Sequence, residues 1–443
     1  MRFASITGLA FLVSAASLDC SSARDGSTND AGGNGGATSS GGSAASSNGA
    51  STGSGASTTT STGGAIDTGG APATSGGASS TSGGTTSTGG APSAGGAGAT
   101  ANGGTTSTGG GANTGGTASD GGTTNGGAGG ANASGGTGGT GCAIPTEDVS
   151  KPPTTLALSG DLGTHDPSAI FADGVYYLFA TGNGIATKTS TNLLDWRGTP
   201  DVFSSIPSWV AGKLSGVSNV WAPDISFFNG VYHLYYAVST FGSNKSCIGH
   251  ATRASLGSGS WTDHGAVICS NVGTTDDFNA IDPNIIVDDD GTPWLDFGSF
   301  WSGVKLVKLA ADGTRADTVV SSLADNKSIE GPYIVHQCGY YYLFVSFGSC
   351  CGSPYDYNIR VGRSASVSGP YVDKAGTDMM NGGGNLLVQG NGTWTAPGHD
   401  AVLVTSQGAY NLYHALDANH QNPTLRIAEL VLDAEGWPVS GGP

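Results

Sequence analysis

Five segments of the chain share one pattern, and four of them begin with an ionisable residue. Each continues with an apolar run, a turn glycine eight or nine residues on, and an aromatic strand; the leading residues are Asp166, Ala222, Asp282, Glu330 and His399. Two carboxyl groups across a sugar-sized gap are the minimum equipment for hydrolysing a glycosidic bond, because one protonates the leaving oxygen and the other activates water. The residue types therefore point to this chemistry if the fold brings the acids together.

The repetition itself predicts the fold. The segments begin 48 to 69 residues apart, enough for a four-stranded sheet with its loops, and their short aromatic and β-branched runs indicate an all-β domain. Five such sheets arranged radially make a five-bladed β-propeller, whose innermost strands line a central channel. A β-sandwich or a β-helix is the alternative, but neither explains five equivalent hairpins at this spacing.

If the first strand of each repeat is innermost, the leading acids face one axis. Buried carboxylates are costly unless they are paired or functional. A turn aspartate beside proline, the ordinary explanation for any one of them, would have to recur in four blades. We expect Asp166 to act as general base and Glu330, in a non-adjacent blade, as general acid, with Asp282 tuning and orienting the acid. Blade two carries its acid, Asp224, two residues later, where alternation returns it to the same face.

The loops after the aromatic strands are expected to surround the same face as the acids. They contain glycine, serine and aromatic residues, as in Gly298-Ser299-Phe300-Trp301, while Trp221 and Asn279 stand just before leading residues. Such groups suit sugar rings, because aromatic faces stack on them and short polar groups bond their hydroxyls. Packing between blades is still the commoner role of any single aromatic residue.

The chain ahead of the repeats has a different character. Residues 1–20 are typical of a signal peptide, and Cys20 is a possible lipidation site, although Asp19 before it argues against this. Residues 21–141 consist mainly of Gly, Ser, Thr, Ala and Asn, which predicts a disordered linker. Residues 142–443 are the expected propeller domain. The protein is thus expected to be secreted or tethered to a cell surface, without a transmembrane segment.

Charge and cysteine content narrow the possible partners. The net charge is −17, which disfavours nucleic acid and favours a neutral substrate. The chain has seven cysteines but no Cys-x-x-Cys spacing, which argues against a zinc site. Cys247 and Cys269 flank a hairpin-like stretch and are a reasonable disulfide pair. The adjacent Cys350 and Cys351 are either a vicinal disulfide or two buried thiols.

The ordered motifs resemble glycoside hydrolase family forty-three, and within it the endo-α-1,5-L-arabinanases. The motifs are His165-Asp166-Pro167, Trp221-Ala222-Pro223-Asp224, Asn279-Ala280-Ile281-Asp282-Pro283, Gly298-Ser299-Phe300-Trp301, Ile329-Glu330-Gly331-Pro332 and Gly398-His399, within residues 156–437. The resemblance implies a five-bladed propeller, an inverting mechanism and the same three acid roles. It implies cleavage of arabinan, the pectin side-chain polysaccharide, with substrate contacts at Trp221, Gly242, Asn279, Ile281 and Ser299. We also expect substrate contacts at Asp166, Asp282 and Phe300, and a monomeric protein.

The resemblance also implies one calcium ion in the central channel near His399. A single histidine is weak evidence for a calcium site, because calcium normally takes oxygen ligands. The alternative is that His399 is a hydrogen-bonded histidine of the core. Two departures from the family pattern stand close by. Gly331 replaces the alanine that usually follows the acid, and Asp400 stands where Asn or Gln commonly follows the histidine.

Two other functions compete with endo cleavage. An exo-acting α-L-arabinofuranosidase or β-xylosidase would keep the same catalytic residues and differ only in loops that close one end of the groove. A non-catalytic sugar-binding propeller belongs to a different class. It would need no acid opposite a base, so the presence of all three carboxylates argues against it.

Overall fold

In the computed structural model, which describes residues 142–420 and 422–443, the chain forms five sheets in succession. The predicted signal peptide (1–20) and linker (21–141) lie outside the described residues, so the domain boundaries stay a prediction. Within the described residues, no helix is long or apolar enough to cross a membrane. Two short 3-10 helices, Val210–Gly212 and Met379–Asn381, interrupt the loops.

Each sheet is one blade, built from consecutive strands. Blade one contains β1 (Ser159–Gly160), β2 (Ser168–Ala172), β3 (Val175–Ala180), β4 (Ala186–Ser190) and β5 (Asp195–Thr199). Blade two contains β6 (Trp221–Phe228), β7 (Val231–Val238), β8 (Ser246–Arg253) and β9 (Thr262–Ser270). Blade three contains β10 (Asn284–Val287), β11 (Pro293–Phe297), β12 (Val304–Lys308) and β13 (Ser321–Ala324).

The remaining blades follow the same plan. Blade four contains β14 (Ile329–Gln337), β15 (Tyr340–Phe347), β16 (Asn358–Ser364) and β17 (Asn385–Val388). Blade five contains β18 (Thr395–Thr405), β19 (Gly408–Leu416), β20 (Pro423–Leu432) and β21 (Pro438–Ser440). The strands β2, β6, β10, β14 and β18 each contact their counterparts in both neighbouring blades, and β18 meets β2. The ring is therefore closed, and the five-bladed propeller with its first strands innermost is confirmed.

Apolar side chains fill the five interfaces between neighbouring blades. One buried cluster joins blades one and two, for example, where Ile170 packs with Ile225 and Leu234; a second joins blades four and five around Phe344 and Tyr413. Equivalent clusters join blades two and three, three and four, and five and one. Because each sheet buries both faces against other sheets, the blades hold the inner strands at fixed angles around the axis.

The segment ahead of β2 also joins blade five. Leu156 N donates to Ile427 O at 2.8 Å, and Leu425 N donates to Leu162 O at 2.8 Å, so this stretch runs beside β20 of blade five. A disulfide joins Cys142 to Cys338, in the turn that follows β14, across 196 residues of sequence. The sequence did not predict this bond, which fixes the start of the described chain to blade four.

All five inner strands bend at the same place. The backbone is left-handed at Asp166, Ala222, Asp282, Gly331 and His399, with φ values of 53°, 40°, 57°, 57° and 50°. In the first four blades a proline follows this residue. Glu330 therefore lies one residue before the position that Asp166 and Asp282 occupy, not at the equivalent position that the repeat pattern suggested. A shift of the β14–β15 register between Glu330 and Tyr333 accompanies the offset.

Candidate active site

The bend places two aspartates at the same end of the channel. Asp166 and Asp282 are 8% and 6% exposed, and each adopts a left-handed backbone that costs a non-glycine residue about 1–3 kcal/mol. Such conformations persist only where the surroundings enforce them, and they cluster at functional sites. Here closely packed neighbouring strands enforce them.

Asp166 is held by histidines and a threonine. Its Oδ2 lies 2.9 Å from His165 Nδ1 and accepts a hydrogen bond from Thr181 Oγ1 at 2.5 Å. Its Oδ1 lies 3.2 Å from His399 Nδ1 and 3.8 Å from His414 Nδ1. Burial raises the pKa of Asp166, but attraction to His165 and His399 outweighs burial and lowers the pKa overall. Asp166 is therefore an anion at neutral pH, as a general base must be.

The surroundings of Asp282 and Glu330 instead favour the protonated form of each carboxyl group. Burial, followed by the charges of Glu330 and Asp166, raises the pKa of Asp282 well above its usual range. Burial also raises the pKa of Glu330, against the hydrogen bonds that lower it. Ser299 Oγ donates one of these bonds to Glu330 Oε2 at 2.9 Å, and Gly331 N donates to Asp282 Oδ2 at 3.1 Å. The pair of acids thus retains a proton at pH values where Asp166 has lost its own.

Several of the predicted sugar-contact residues lie in ordered loops around these acids. Asn279 is buried, and its Oδ1 accepts from Ser246 Oγ at 2.6 Å, so part of its bonding capacity holds the loop. Phe300 is half-buried, and its N–H donates to Ile329 O beside the acid at 2.7 Å. Trp221 begins β6 and is half-buried, whereas Ile281 is buried, Ser299 is buried and Gly242 is exposed. Their roles toward a sugar stay predictions.

His399 lies at the centre, but its surroundings do not form a calcium cage. Its Nδ1 faces Asp166 Oδ1, and calcium takes about six to eight oxygen ligands in proteins. Among the described residues, the side chains grouped closely enough to share an ion are His165, Asp166 and His414, or His165 with Cys350 and Cys351. Neither group includes His399, so an ion beside it needs water for most of its ligands. Calcium at this histidine stays a prediction.

Asp224 braces the inner strands rather than joining the group formed by Asp166, Asp282 and Glu330. Its Oδ1 accepts from Ser168 Oγ of blade one at 2.9 Å, and its Oδ2 accepts from Ile285 N of blade three at 3.0 Å. Burial raises its pKa to about 7. Asp400 is also buried, and burial raises its pKa well above the usual range.

Both pairs of cysteines considered in the sequence form disulfides. Cys247 and Cys269 are directly opposite one another on β8 and β9 and are bonded, as the hairpin suggested. Cys350 and Cys351 form a vicinal disulfide, and Cys351 Sγ lies 3.6 Å from His165 Nε2. The vicinal pair therefore lies against a histidine that holds Asp166.

Sequence reasoning missed some of the groups that hold the acids. His165 appeared only as part of a motif, and neither Thr181 nor His414 was selected. His414 is fully buried and its Nδ1 accepts from Asp166 N at 3.3 Å; burial lowers its pKa well below the usual range. Its place in β19, the second strand of a repeat, pointed to packing. Only its pairing opposite Gly398, next to the bend at His399, could have signalled proximity to the site.

Comparisons with known proteins agree with this geometry. The model of the family Glycosyl hydrolases family 43 matches residues 160–438, from β1 to β21 and hence through all five blades. The chain belongs to glycosyl hydrolases family 43. A family 43 endo-arabinanase structure from Bacillus licheniformis is 44% identical, with a TM-score of 0.61, over 64% of this chain and 99% of that one.

Relatives with two cleavage modes are similar to this family 43 chain. The extracellular endo-alpha-(1->5)-L-arabinanase 1 of Bacillus subtilis is 41% identical over 62% of this chain and 86% of its own length. An extracellular exo-alpha-(1->5)-L-arabinofuranosidase of Cellvibrio japonicus is 40% identical over 62% and 85%. A Cellvibrio cellulosa alpha-L-arabinanase structure, solved with arabinohexaose, is 40% identical with a TM-score of 0.60 over 63% and 95%.

Proposed function

We propose that this chain is an arabinan endo-1,5-α-L-arabinanase that cleaves internal bonds of the polymer with inversion. The observation that carries the proposal is the contrast between an anionic Asp166 and a proton-retaining Glu330–Asp282 pair in one channel. An acid and a base held in opposite states are what single-displacement hydrolysis needs. The substrate is proposed from the relatives, whose names and bound ligand are those of arabinan chemistry.

The three acids divide the reaction between them. Asp166 removes a proton from water as the water oxygen attacks the anomeric carbon, and Glu330 gives its proton to the glycosidic oxygen as that bond breaks. Asp166 then carries the water proton and Glu330 is an anion, and exchange with solvent restores both. Asp282 accepts the backbone N–H of Gly331, which orients the acid strand, and its proximity keeps a proton on the pair.

The remaining features of the proposal rest on relatives or on sequence. Relatives described as extracellular support secretion of this chain, with or without attachment to a cell surface. The calcium ion near His399 comes from the family resemblance alone, and the monomer is an expectation from the sequence. Elemental analysis of dialysed protein tests the ion, and about one calcium per chain is the expected result.

A time course of products from debranched arabinan tests the function. The wild-type chain should release a ladder of oligomers from the start, with inverted anomeric configuration by NMR. Asp166→Ala, Asp282→Ala and Glu330→Ala should each abolish release while circular dichroism stays unchanged. Arabinose alone from the earliest point would instead establish the exo alternative that the Cellvibrio relative favours. Binding without products would establish a sugar-binding propeller.

A further inference from the structure

A threonine at the end of a strand contacts both the proposed base and the next blade. Thr181 directly follows β3 and is half-buried. Its N–H donates to His165 O at 3.0 Å, which fixes its backbone beside the residue that precedes Asp166. Its Oγ1 donates to Asp166 Oδ2 at 2.5 Å and accepts from Ala222 N at 2.8 Å. The side chain therefore joins the bends of two neighbouring inner strands.

The bond from Ala222 sets the direction of the threonine hydroxyl. A backbone N–H can only donate, so the Thr181 oxygen accepts from Ala222 and directs its own proton at Asp166. A hydroxyl that donates to a carboxylate makes a charge-assisted hydrogen bond, which is shorter and roughly twice as strong as a bond between neutral groups. Thr181 thus holds Asp166 Oδ2 with a proton of fixed direction.

The two oxygens of the Asp166 carboxyl group have different surroundings. His165 Nδ1 lies 2.9 Å from Oδ2 but forms no hydrogen bond within the described residues, so Thr181 supplies the directional contact to this oxygen. Oδ1 instead lies 3.2 Å from His399 Nδ1, at the centre of the channel. His414 Nδ1, 3.8 Å from Oδ1, accepts the Asp166 N–H and so does not donate to that oxygen. Oδ2 is therefore the anchored oxygen, and Oδ1 is the oxygen directed at the centre.

We propose that Thr181 is a positioning residue of the reaction, whose hydroxyl holds the Asp166 carboxyl group so that Oδ1 takes the proton of the attacking water. The role deepens the proposed function and rests on it for the identity of the base. The water O–H bond breaks as the water oxygen bonds to the anomeric carbon, and the proton passes to Oδ1 while Glu330 protonates the leaving oxygen. Thr181 donates to the other oxygen, so it contributes orientation and transfers no proton.

The same loop holds the start of β6 through a separate pair of bonds. Gly182 N donates to Val220 O at 3.0 Å, and Val220 N donates to Gly182 O at 2.9 Å. These backbone bonds do not involve the Thr181 side chain, so they keep Trp221 attached to blade one when the hydroxyl is removed. Loss of the hydroxyl should therefore disturb the orientation of the base, and hence kcat, more than the predicted sugar contact at Trp221, and hence KM.

Thr181→Val tests the role, because valine has nearly the shape of threonine but can neither accept from Ala222 nor donate to Asp166. On linear arabinan, we expect Thr181→Val to lower kcat about 30-fold with KM within about twofold, since a small displacement of a reacting group costs up to about 10²-fold. Thr181→Ser keeps the hydroxyl and should restore most of the lost kcat. Equal losses in the valine and serine variants would show a packing role and overturn the proposal.

Thr187→Val is the matched control, in β4 of the same blade. Thr187 is half-buried, as Thr181 is. Its hydroxyl contacts Thr199 Oγ1 at 2.6 Å and donates to Pro200 O at 2.7 Å, so the same substitution removes hydrogen bonds that do not reach Asp166. Both kcat and KM should equal the wild-type values. A loss of kcat as large as in Thr181→Val would show that any hydroxyl lost from blade one slows the reaction, and would refute the assignment.

A second measurement needs no substrate. In crystals of Thr181→Val, we expect the plane of the Asp166 carboxyl group to rotate from its wild-type orientation by more than about 20°, the tolerance within which catalytic groups are held. A carboxyl group that keeps its orientation in the valine variant overturns the positioning role even if arabinan is cleaved. A rotated carboxyl group in the variant, together with no arabinan cleavage by the wild type, overturns the proposed function alone.

Discussion

Asp166 and Asp282 stand at the same bend of two blades, each followed by proline, yet their surroundings drive their pKa values apart. His165 and His399 face Asp166 and lower its pKa against burial. Glu330 and Asp166 face Asp282, and their charges add to burial and raise its pKa. The sequence around the two residues is alike, so the difference comes from what other strands present across the channel.

The same contrast holds between histidines. His165 touches a carboxylate, and although burial lowers its pKa, attraction to Asp166 outweighs this and raises it. His233 and His250 of blade two touch one another, with His233 Nδ1 and His250 Nε2 at 2.9 Å, and burial lowers their pKa values to about 4 and about 3. Residue type alone therefore does not set the charge of a buried group in this propeller; its neighbours do.

Replacing each aspartate by asparagine gives the largest effect and tests the contrast directly. Asp166→Asn removes the anion that we propose activates water, so kcat should fall about 10³-fold. Asp282→Asn keeps an acceptor for Gly331 N and should cost less, about 30-fold. Steady-state kinetics from pH 4 to 9 measure both, and equal losses in the two variants would contradict the division of roles.

His165→Gln should have an intermediate effect, which appears on the acidic limb of the pH profile of kcat/KM. Glutamine keeps a donor toward Asp166 Oδ2 but removes the positive charge that lowers the pKa of Asp166. The base then takes up a proton at a higher pH, so the acidic limb of kcat/KM should shift upward by about one to three pH units. Lys213→Gln, a surface change, is the control. An acidic limb that does not move would show that the histidine exerts no electrostatic effect.

The smallest effect concerns stability in blade two. The folded-state pKa values of His233 and His250 lie below the unfolded value, so the unfolded chain binds more protons as pH falls below about 6.5. Stability should therefore fall from about pH 6.5 to pH 4, by an order of 1–3 kcal/mol for the pair. His250→Gln should flatten this dependence. Urea unfolding at pH 7 and pH 4.5 measures it, and parallel curves for variant and wild type would refute the expectation.

Much of the fold could be predicted from the sequence because the repeats are local. A turn glycine and an aromatic strand recur in each blade, so hairpins and their number follow from the pattern. Asp166, Asp282 and Glu330 could be selected because charged residues are conspicuous in apolar strands. The one-residue offset at Glu330 could not be predicted, because it depends on a backbone bend that Gly331 adopts.

The supporting groups were harder to predict, for a different reason. His414 comes from the second strand of a repeat, where nothing distinguishes it from a packing residue. For Asp224 the sequence suggested a site role that its contacts do not support. The alternation of side chains along the strand placed it on the same face as the leading acids, but its oxygens accept hydrogen bonds from Ser168 and Ile285. These roles follow from contacts between different blades, and such contacts produce no periodic pattern in the sequence.

The bond between Cys142 and Cys338 determines how the domain responds to tension on the chain ahead of it. Without the bond, a pull on residue 142 would peel the segment beside β20 away one hydrogen bond at a time. With the bond, the force enters blade four at the turn after β14, and the segment beside β20 is not pulled. That turn lies at the end of β14 opposite Glu330, roughly 25 Å away at the rise of a β-strand. A protein held by this end would therefore be pulled at the end of β14 that lies away from Glu330.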